Sequence, residues 1–348
     1  MRKKVGVFTL YGDNNYGNKL QTYAVQKCLE SNNCDVNVIK YRNNIIVYLI
    51  KILLGKEKIK NVADKNRCKK FKQFNKFIKY DFYKFKFKEK NIYVYGSDQV
   101  WNYGKRGPNP IFLGKYGNDK KNIAFSASFG VYQIPEKFRE EYKLGLQKFE
   151  SISVREIAGK NIAEELTNRE DIEVLVDPTM LLSAEEWENV SKRPNQLDTL
   201  ASSRYILNYF LGELSEEWKK EIERIAQENN CEIINILDKN SPFYQTGPSE
   251  FLYLEKNAFM VCTDSFHSSV FSIIYDTPFI VFNREQKGLN SMNSRIDTLL
   301  TTFKLEDRRF KGKIENNLLK CDYTEAKQIL KKEQEKAENF LKKALDKK

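Results

Sequence analysis

Along most of this chain a short apolar run ends in Gly, Asn, Ser or Asp and passes into a pattern of helical spacing. Val5–Leu10 leads into the loop Tyr11–Asn18 and a helix predicted from Lys19 to about Ser31, and Val36–Tyr41 follows as a second strand. The opening is therefore a βαβ unit. Strands predicted at Ile92–Tyr95, Ile123–Ser126, Ile152–Val154 and Val174–Val176 end in Gly96–Trp101, Ala127–Gly130, Arg155 and Asp177–Thr179. After the polar stretch Ser191–Ser203 the alternation restarts, with strands at Tyr205–Tyr209, Glu232–Ile236, Phe259–Cys262 and Phe279–Phe282 and helices between and after them. Strands joined by helical crossovers form parallel sheets covered on both faces. The fold class is α/β, with two Rossmann-like domains and a cleft between their strand ends. Residues 1–190 are expected to form the first domain with a basic insertion at 45–90. Residues 191–320 form the second, and 321–348 a charged amphipathic helix.

Composition excludes several classes. The 348 residues exceed what one core usually holds, and 41% apolar content with 23 Phe and 19 Tyr supports a folded protein. No run approaches the roughly 20 apolar residues of a membrane span. The start runs straight into a strand pattern without a cleavage-site pattern, so no signal peptide is expected. The six cysteines contain no CxxC pair and read as reduced thiols of a cytoplasmic protein. With one histidine and scattered cysteines, no metal site and no cofactor is expected.

The net charge of +12 is concentrated between Lys51 and Lys90, where fifteen Lys and Arg face four Asp and Glu. Aromatic residues interleave them, at helical spacing before Tyr80 and in strand-like alternation after it. Three readings compete. The lysines are the wet face of a helix and an edge strand; or they meet anionic lipid or a lipid-pyrophosphate-linked substrate, placing the protein peripherally at the inner face of the membrane; or they bind nucleic acid. No recognition motif accompanies the charge, and no nucleic-acid partner is expected.

The single histidine, His267, falls in Thr263-Asp-Ser-Phe-His267. An apolar strand precedes it, Thr263, Asp264 and Ser265 are N-cap residues, and a helix follows from Phe266. A side chain of unperturbed pKa about 6.5 therefore lies on the first turn of a helix at the carboxyl end of a strand. Ligands of open α/β sheets bind at that edge, and helix N-termini attract anions. Other polar clusters share this placement: Gly12–Asn18, Ser97–Trp101, Ser126–Gly130, Arg155, Asp177–Thr179 and Asn208–Gly212.

Taken together, Tyr16-Gly-Asn-Lys-Leu-Gln21, Gly96-Ser-Asp-Gln-Val-Trp101, Ser153-Val-Arg-Glu156, Asp177-Pro178 and Thr263-Asp-Ser-Phe-His267 resemble the polysaccharide pyruvyl transferase family, from about Val5 to about Arg308. The resemblance implies a GT-B-like arrangement of the two domains. It also implies transfer of the pyruvyl group of phosphoenolpyruvate onto a sugar of a cell-surface polysaccharide or its lipid-linked precursor, giving a pyruvate ketal. His267 matches the family's general acid. Ser265 stands where many members carry arginine, so Arg155, Arg284 or Arg295 is expected to supply that charge. Asp13, Asn15, Tyr16, Asn18, Asp98, Gln99, Ser126, Arg155, Ser265, Ser268, Arg284 and Arg295 are the candidate substrate-binding residues. Two other readings stay open. One is a GT-B glycosyltransferase with a nucleotide-sugar donor, for which Glu250 or Asp264 would hold the ribose. The other is a non-enzymatic module that binds a membrane or anionic polymer through the basic segment. A serine hydrolase is disfavoured, because no G-x-S-x-G elbow is present.

Overall fold

The computed structural model describes residues 2–41, 62–82, 90–104, 107–117, 119–284 and 294–347. Much of the 45–90 segment, including residues 45–61 and 83–89, therefore lies outside the described residues.

The first half contains β1 (Lys3–Phe8), α1 (Tyr16–Ser31), β2 (Cys34–Lys40), α2 (Val62–Phe74), β3 (Tyr80–Phe82), β4 (Ile92–Tyr95), β5 (Lys121–Ala127), α3 (Glu136–Leu146), β6 (Ser151–Val154), α4 (Ile157–Thr167) and β7 (Glu173–Val174). Its strands form one parallel sheet in the order β3-β2-β1-β4-β5-β6-β7. The order reverses between β1 and β4, which opens a crevice at their carboxyl ends. The central strands are apolar at nearly every position because helices cover both faces, as β4, buried throughout, illustrates.

The second half contains α5 (Ala184–Glu188), β8 (Tyr205–Tyr209), α6 (Glu216–Glu228), β9 (Glu232–Asn235), α7 (Pro248–Asn257), β10 (Met260–Thr263), α8 (Phe266–Tyr275), β11 (Phe279–Val281), α9 (Ser294–Phe303) and α10 (Thr324–Asp346). Its parallel sheet runs β11-β10-β8-β9, reversing between β10 and β8. The architecture is two Rossmann-like sheets of GT-B-like arrangement.

Local chemistry explains the boundaries. α1 starts at Tyr16 rather than Lys19 because the Asn15 carboxamide accepts the Asn18 N–H at 3.0 Å. α6 starts where Ser215 accepts the Trp218 N–H, and acidic Glu216 and Glu217 occupy its first turn. β7 stops early because Asp177 and Pro178 begin a 3-10 turn, Pro178–Leu181. α5, which the apolar pattern does not announce, is held by a reciprocal cap between Ser183 and Glu186.

One core joins the halves. The Tyr16 ring stacks on Phe251 at 4.4 Å, and its hydroxyl meets Thr246 Oγ1 at 2.9 Å and accepts from Arg67 at 2.7 Å. Two aromatic residues of the basic segment belong to this core: Phe71 and Phe74 are buried, whereas Lys65, Lys69, Lys72, Lys76 and Lys79 are exposed. α10 returns from the second half to the first. There Phe340 lies parallel to Phe125, and the Gln334 carboxamide donates to the Met180 carbonyl at 2.7 Å. Among the described residues no helix is long and apolar enough to cross a membrane.

Candidate active site

β10 ends at Thr263, whose hydroxyl donates to the Tyr209 carbonyl at 2.6 Å and accepts the Ser265 N–H at 2.9 Å. This turn sets Ser265 as the N-cap of α8 without a side-chain cap bond, leaving first-turn N–H groups to a ligand or to water. His267 follows on that turn and is buried. Its ring lies against α1 of the other half: a Cβ at Gly17 would stand 2.2 Å from its Nδ1. Only glycine fits this approach. The imidazole Nε2 lies 3.8 Å from Asp177 Oδ2 and has no hydrogen-bond partner among the described residues.

Asp177, Asp98 and Arg155 form a buried charge network around the histidine. Asp177 accepts from Ser97 Oγ at 2.8 Å, from the Thr179 N–H at 3.0 Å, from Thr179 Oγ1 at 2.7 Å, and from Arg155. Arg155 also donates to Asp98 Oδ1 at 3.2 Å, and Asn18 donates its carboxamide N–H to Asp98. Asp98 and Ser126 hold positive φ, +67° and +47°, a strained conformation for non-glycine residues that recurs at functional sites. The Arg295 guanidinium stands 4.0 Å from Asp98. Arg155 and Arg295 both approach the Phe266 ring, with guanidinium carbons 4.4 and 5.7 Å from its centroid.

These contacts set protonation. Burial opposes ionisation of Asp177, but Arg155, His267 and the Thr179 donors outweigh it and hold the carboxyl well below its usual range. Asp98 is lowered by Arg155, His267 and Arg295 against the same burial. Burial lowers the pKa of His267; Asp177 and Asp98 oppose that, and Arg155 and Arg295 add to it. Arg295 is brought down to about 10 by burial and by its neighbour Arg155.

The candidate residues divide by surroundings. His267, Asn18, Asp98, Arg155 and Arg295 come together. Ser126 supports them by donating its hydroxyl to the Val176 carbonyl at 2.9 Å, just before Asp177. Gln99 packs against Gly130, where a Cβ would meet its Nε2 at 2.0 Å. Asp13 pairs with the buried Lys19 at 3.0 Å, Asn15 caps α1, and Tyr16 bridges the halves. Arg284 pairs with Asp264 at 3.0 Å, and the Asp264 carboxylate also accepts the Leu211 and Gly212 N–H groups at 2.7 Å. Ser268 turns away from the network and donates to Glu255. Glu250, like Asp264, is engaged within the protein, with Lys70 at 2.6 Å and the Gly247 N–H at 2.7 Å.

Sequence reasoning did not select five residues of this region as candidates. Asp177, Ser97 and Thr179 lie inside noted clusters. Glu156 follows Arg155 and accepts from Ser128 Oγ and from the Phe129 and Gly130 N–H groups, so a carboxylate fills the backbone nest after β5. Glu255 lies mid-pattern on α7 and carried no signal. Among the described residues no group of His, Cys, Asp and Glu is arranged to hold a metal ion.

The family profile of polysaccharide pyruvyl transferases matches residues 15–286. No match was found among curated proteins. Among solved structures, the chain resembles UDP-GlcNAc 2-epimerase from Neisseria meningitidis bound to UDP-GlcNAc, with 11% identity, TM-score 0.51, and coverage of 98% of this chain and 97% of that one. UDP-GlcNAc 2-epimerase from Methanocaldococcus jannaschii is also similar, at 14% identity and TM-score 0.47, covering 94% and 98%. At these identities the likeness bears on the fold alone.

Two outcomes are expected from this geometry. Gly17→Ala drives a methyl group into the His267 ring and should lower turnover about 100-fold while the thermal unfolding curve stays cooperative; unchanged turnover would show that the ring position is not critical. Glu255 is the second case, because burial raises its pKa from 4.5 to about 8, with Ser268 and Ser272 only partly opposing. The folded protein keeps this proton through a range where the unfolded chain has lost it. The stability it supports is full below pH 4.5 and is lost as pH rises toward 8, at about 1.4 kcal/mol per pH unit. Urea unfolding should find Glu255→Gln close to wild type at pH 4 and more stable at pH 8. A pH-independent difference would contradict the assignment.

Proposed function

The chain belongs to the polysaccharide pyruvyl transferase family, and on that premise we propose that it moves the pyruvyl group of phosphoenolpyruvate onto two hydroxyls of one sugar, forming a ketal with His267 as general acid. The observation that carries this reading is the buried imidazole, 3.8 Å from Asp177, beside an uncapped helix start and two arginines.

The reaction asks for three things. The methylene carbon of the enol phosphate takes a proton, which leaves positive charge at C2. A sugar hydroxyl then forms the first O–C2 bond. A second hydroxyl forms the other O–C2 bond as the C2–O bond to phosphate breaks. The two hydroxyl protons are accounted for by the new methyl group and by the departing hydrogen phosphate, so no further reactant is consumed.

His267 suits the first step. Its pKa in the protein alone is lowered, and a carboxylate and a phosphate bound beside it raise that pKa again. The donor thereby charges its own acid. Ionised Asp177 and Asp98 stabilise the imidazolium in the same way. For the anions, the α8 start supplies N–H groups. Arg295, which burial and Arg155 destabilise in its charged form, gains most from a negative ligand. Arg155 is committed to two carboxylates and serves chiefly to hold them. Arg284 is committed to Asp264.

A nucleotide-sugar donor is less well supported, since Glu250 and Asp264, the acids available for a ribose, are bonded within the protein. The exposed lysines of α2 and the turn after it suit a lipid-linked acceptor at an anionic membrane surface, at about 1 kcal/mol per lysine.

Phosphate release from phosphoenolpyruvate with a panel of glycosides, against UDP-sugar controls, tests the reaction. His267→Gln should fold and lose 10²–10⁴-fold in kcat, about the worth of a general acid. Because the acid must be protonated, rate falls as pH rises. The falling limb of kcat/KM, which reports the unliganded protein, should lie below pH 6.5, and that of kcat at higher pH. Coincident limbs, or an active His267→Gln, would remove His267 from this role. The membrane component is separable: vesicle flotation should rise with anionic lipid and fall with salt, and replacing Lys69, Lys72 and Lys76 with Gln should weaken it. Flotation indifferent to both leaves these lysines as a solvated helix face.

A further inference from the structure

The network around His267 uses the ends of β4, β6, β7 and β10. It leaves the other half of the second sheet's carboxyl edge unexplained. There a cavity of about 400 Å³ opens over β8 and β9, walled by Phe210, Leu214 and Ile222 and floored by Asn208 and Asn235. Its size falls in the range of small-molecule sites.

Asn208 is the informative side chain. It is 95% buried, at 5% relative exposure, and its Nδ2 donates to Asn235 Oδ1 at 3.0 Å, while its Oδ1 has no hydrogen-bond partner among the described residues. A buried acceptor left unpaired is costly, so this oxygen calls for a donor from the cavity. The surrounding wall combines apolar and aromatic residues, Phe210, Leu214 and Ile222 among them, with the charged Lys219, Glu223 and Asp238, which can bond a ligand's hydroxyls at its edge. A ligand that satisfies both presents hydroxyl donors at its edge and C–H groups on its faces, as a pyranose ring does.

The cavity is also coupled to the histidine. Asn208 lies opposite Cys262 of β10 in parallel register, and adjacent strands are about 4.8 Å apart. Gly212, on the cavity wall, donates its N–H at 2.7 Å to Asp264, three residues before His267. The cavity rim and the His267 turn are thus tied by one carboxylate.

We propose that this cavity binds a sugar unit of the acceptor adjoining the unit that receives the pyruvyl group. The assignment rests on the pyruvyl-transfer reading for the word acceptor, and on the cavity chemistry alone for the word sugar.

Two measurements on the full-length protein test it. The first needs no turnover. Trp218 lies 6.4 Å from Phe210, and Trp101 and Trp187, the other tryptophans, are fully buried. Titration with cellotriose, maltotriose and N,N′-diacetylchitobiose should change Trp218 fluorescence saturably for at least one of them. Asn208→Leu should weaken that binding at least tenfold. Leu214→Arg, which enters the cavity from its half-buried rim, should do the same if Asn208→Leu folds poorly. The second measurement compares acceptors in phosphate release. Both variants should raise KM for an oligosaccharide at least tenfold, leave its kcat within twofold, and leave a monosaccharide glycoside unaffected. No saccharide binding by the wild type, or binding unaltered in both variants, overturns the proposal. So does UDP binding that saturates the same signal in preference to every saccharide, which would make the cavity a nucleotide site. Saccharide binding that behaves as expected, without phosphate release from phosphoenolpyruvate, supports the sugar site and counts against the transfer reading.

Discussion

Asp177 is the carboxylate on which the arrangement of this site depends. It receives donors from Ser97 after β4, from Arg155 after β6 and from Thr179 in its own turn, and it faces His267 from the second half. Its oxygens are nearly saturated, which keeps the charge fixed in a low-dielectric interior where a loose carboxylate would take up a proton instead. Removing one partner of such a buried pair typically costs about 3–5 kcal/mol. The same group that tunes the histidine therefore also fastens strand ends to one another, and chemistry and fold cannot be altered separately here.

Charge in the cleft is arranged with little slack. Asp264 closes the loop after β8 and takes up Arg284, and Glu156 fills the backbone nest after β5. Both carboxylates complete anion-seeking backbone sites from within. The start of α8, which has no side-chain cap, and the Arg295 guanidinium near the Phe266 ring lie beside these carboxylates. Fixed donors of this kind need no reorganisation when charge develops.

The described residues 62–82 of the basic segment are built into the fold. Phe71 and Phe74 pack into the core shared by both halves, Arg67 reaches Tyr16 and the Tyr244 carbonyl, and Lys19 is buried against Asp13, Asn75 and Tyr80. Of the lysines on α2, Lys65, Lys69 and Lys72 stay outside, because an ammonium cannot enter that core unpaired, and Lys70 is half-buried only where it meets Glu250. One amphipathic helix thus fastens the halves on one side and presents positive charge on the other.

Much of this was legible from the sequence. Strand and helix order, the α/β class and the location of His267 at a strand end follow from periodicity and turn chemistry. These are local properties, carried by residues a few positions apart. The strand-end motifs also marked Asn18, Asp98, Arg155 and Asp177. What sequence could not decide is which of these ends meet. Asp98 and Arg295 are nearly 200 positions apart, and Gly17 touches His267 across 250; no local pattern encodes such contacts. Nor could it tell that Asn15 would be spent on a helix cap and Arg284 on Asp264, or that Glu255 would be buried with its proton, because pairing and burial depend on what the fold brings alongside. The sequence by itself determined the elements and the chemistry available at their ends. Tertiary structure alone decided the partners, and through burial and Coulomb interaction at short range it assigned each side chain its charge and its part.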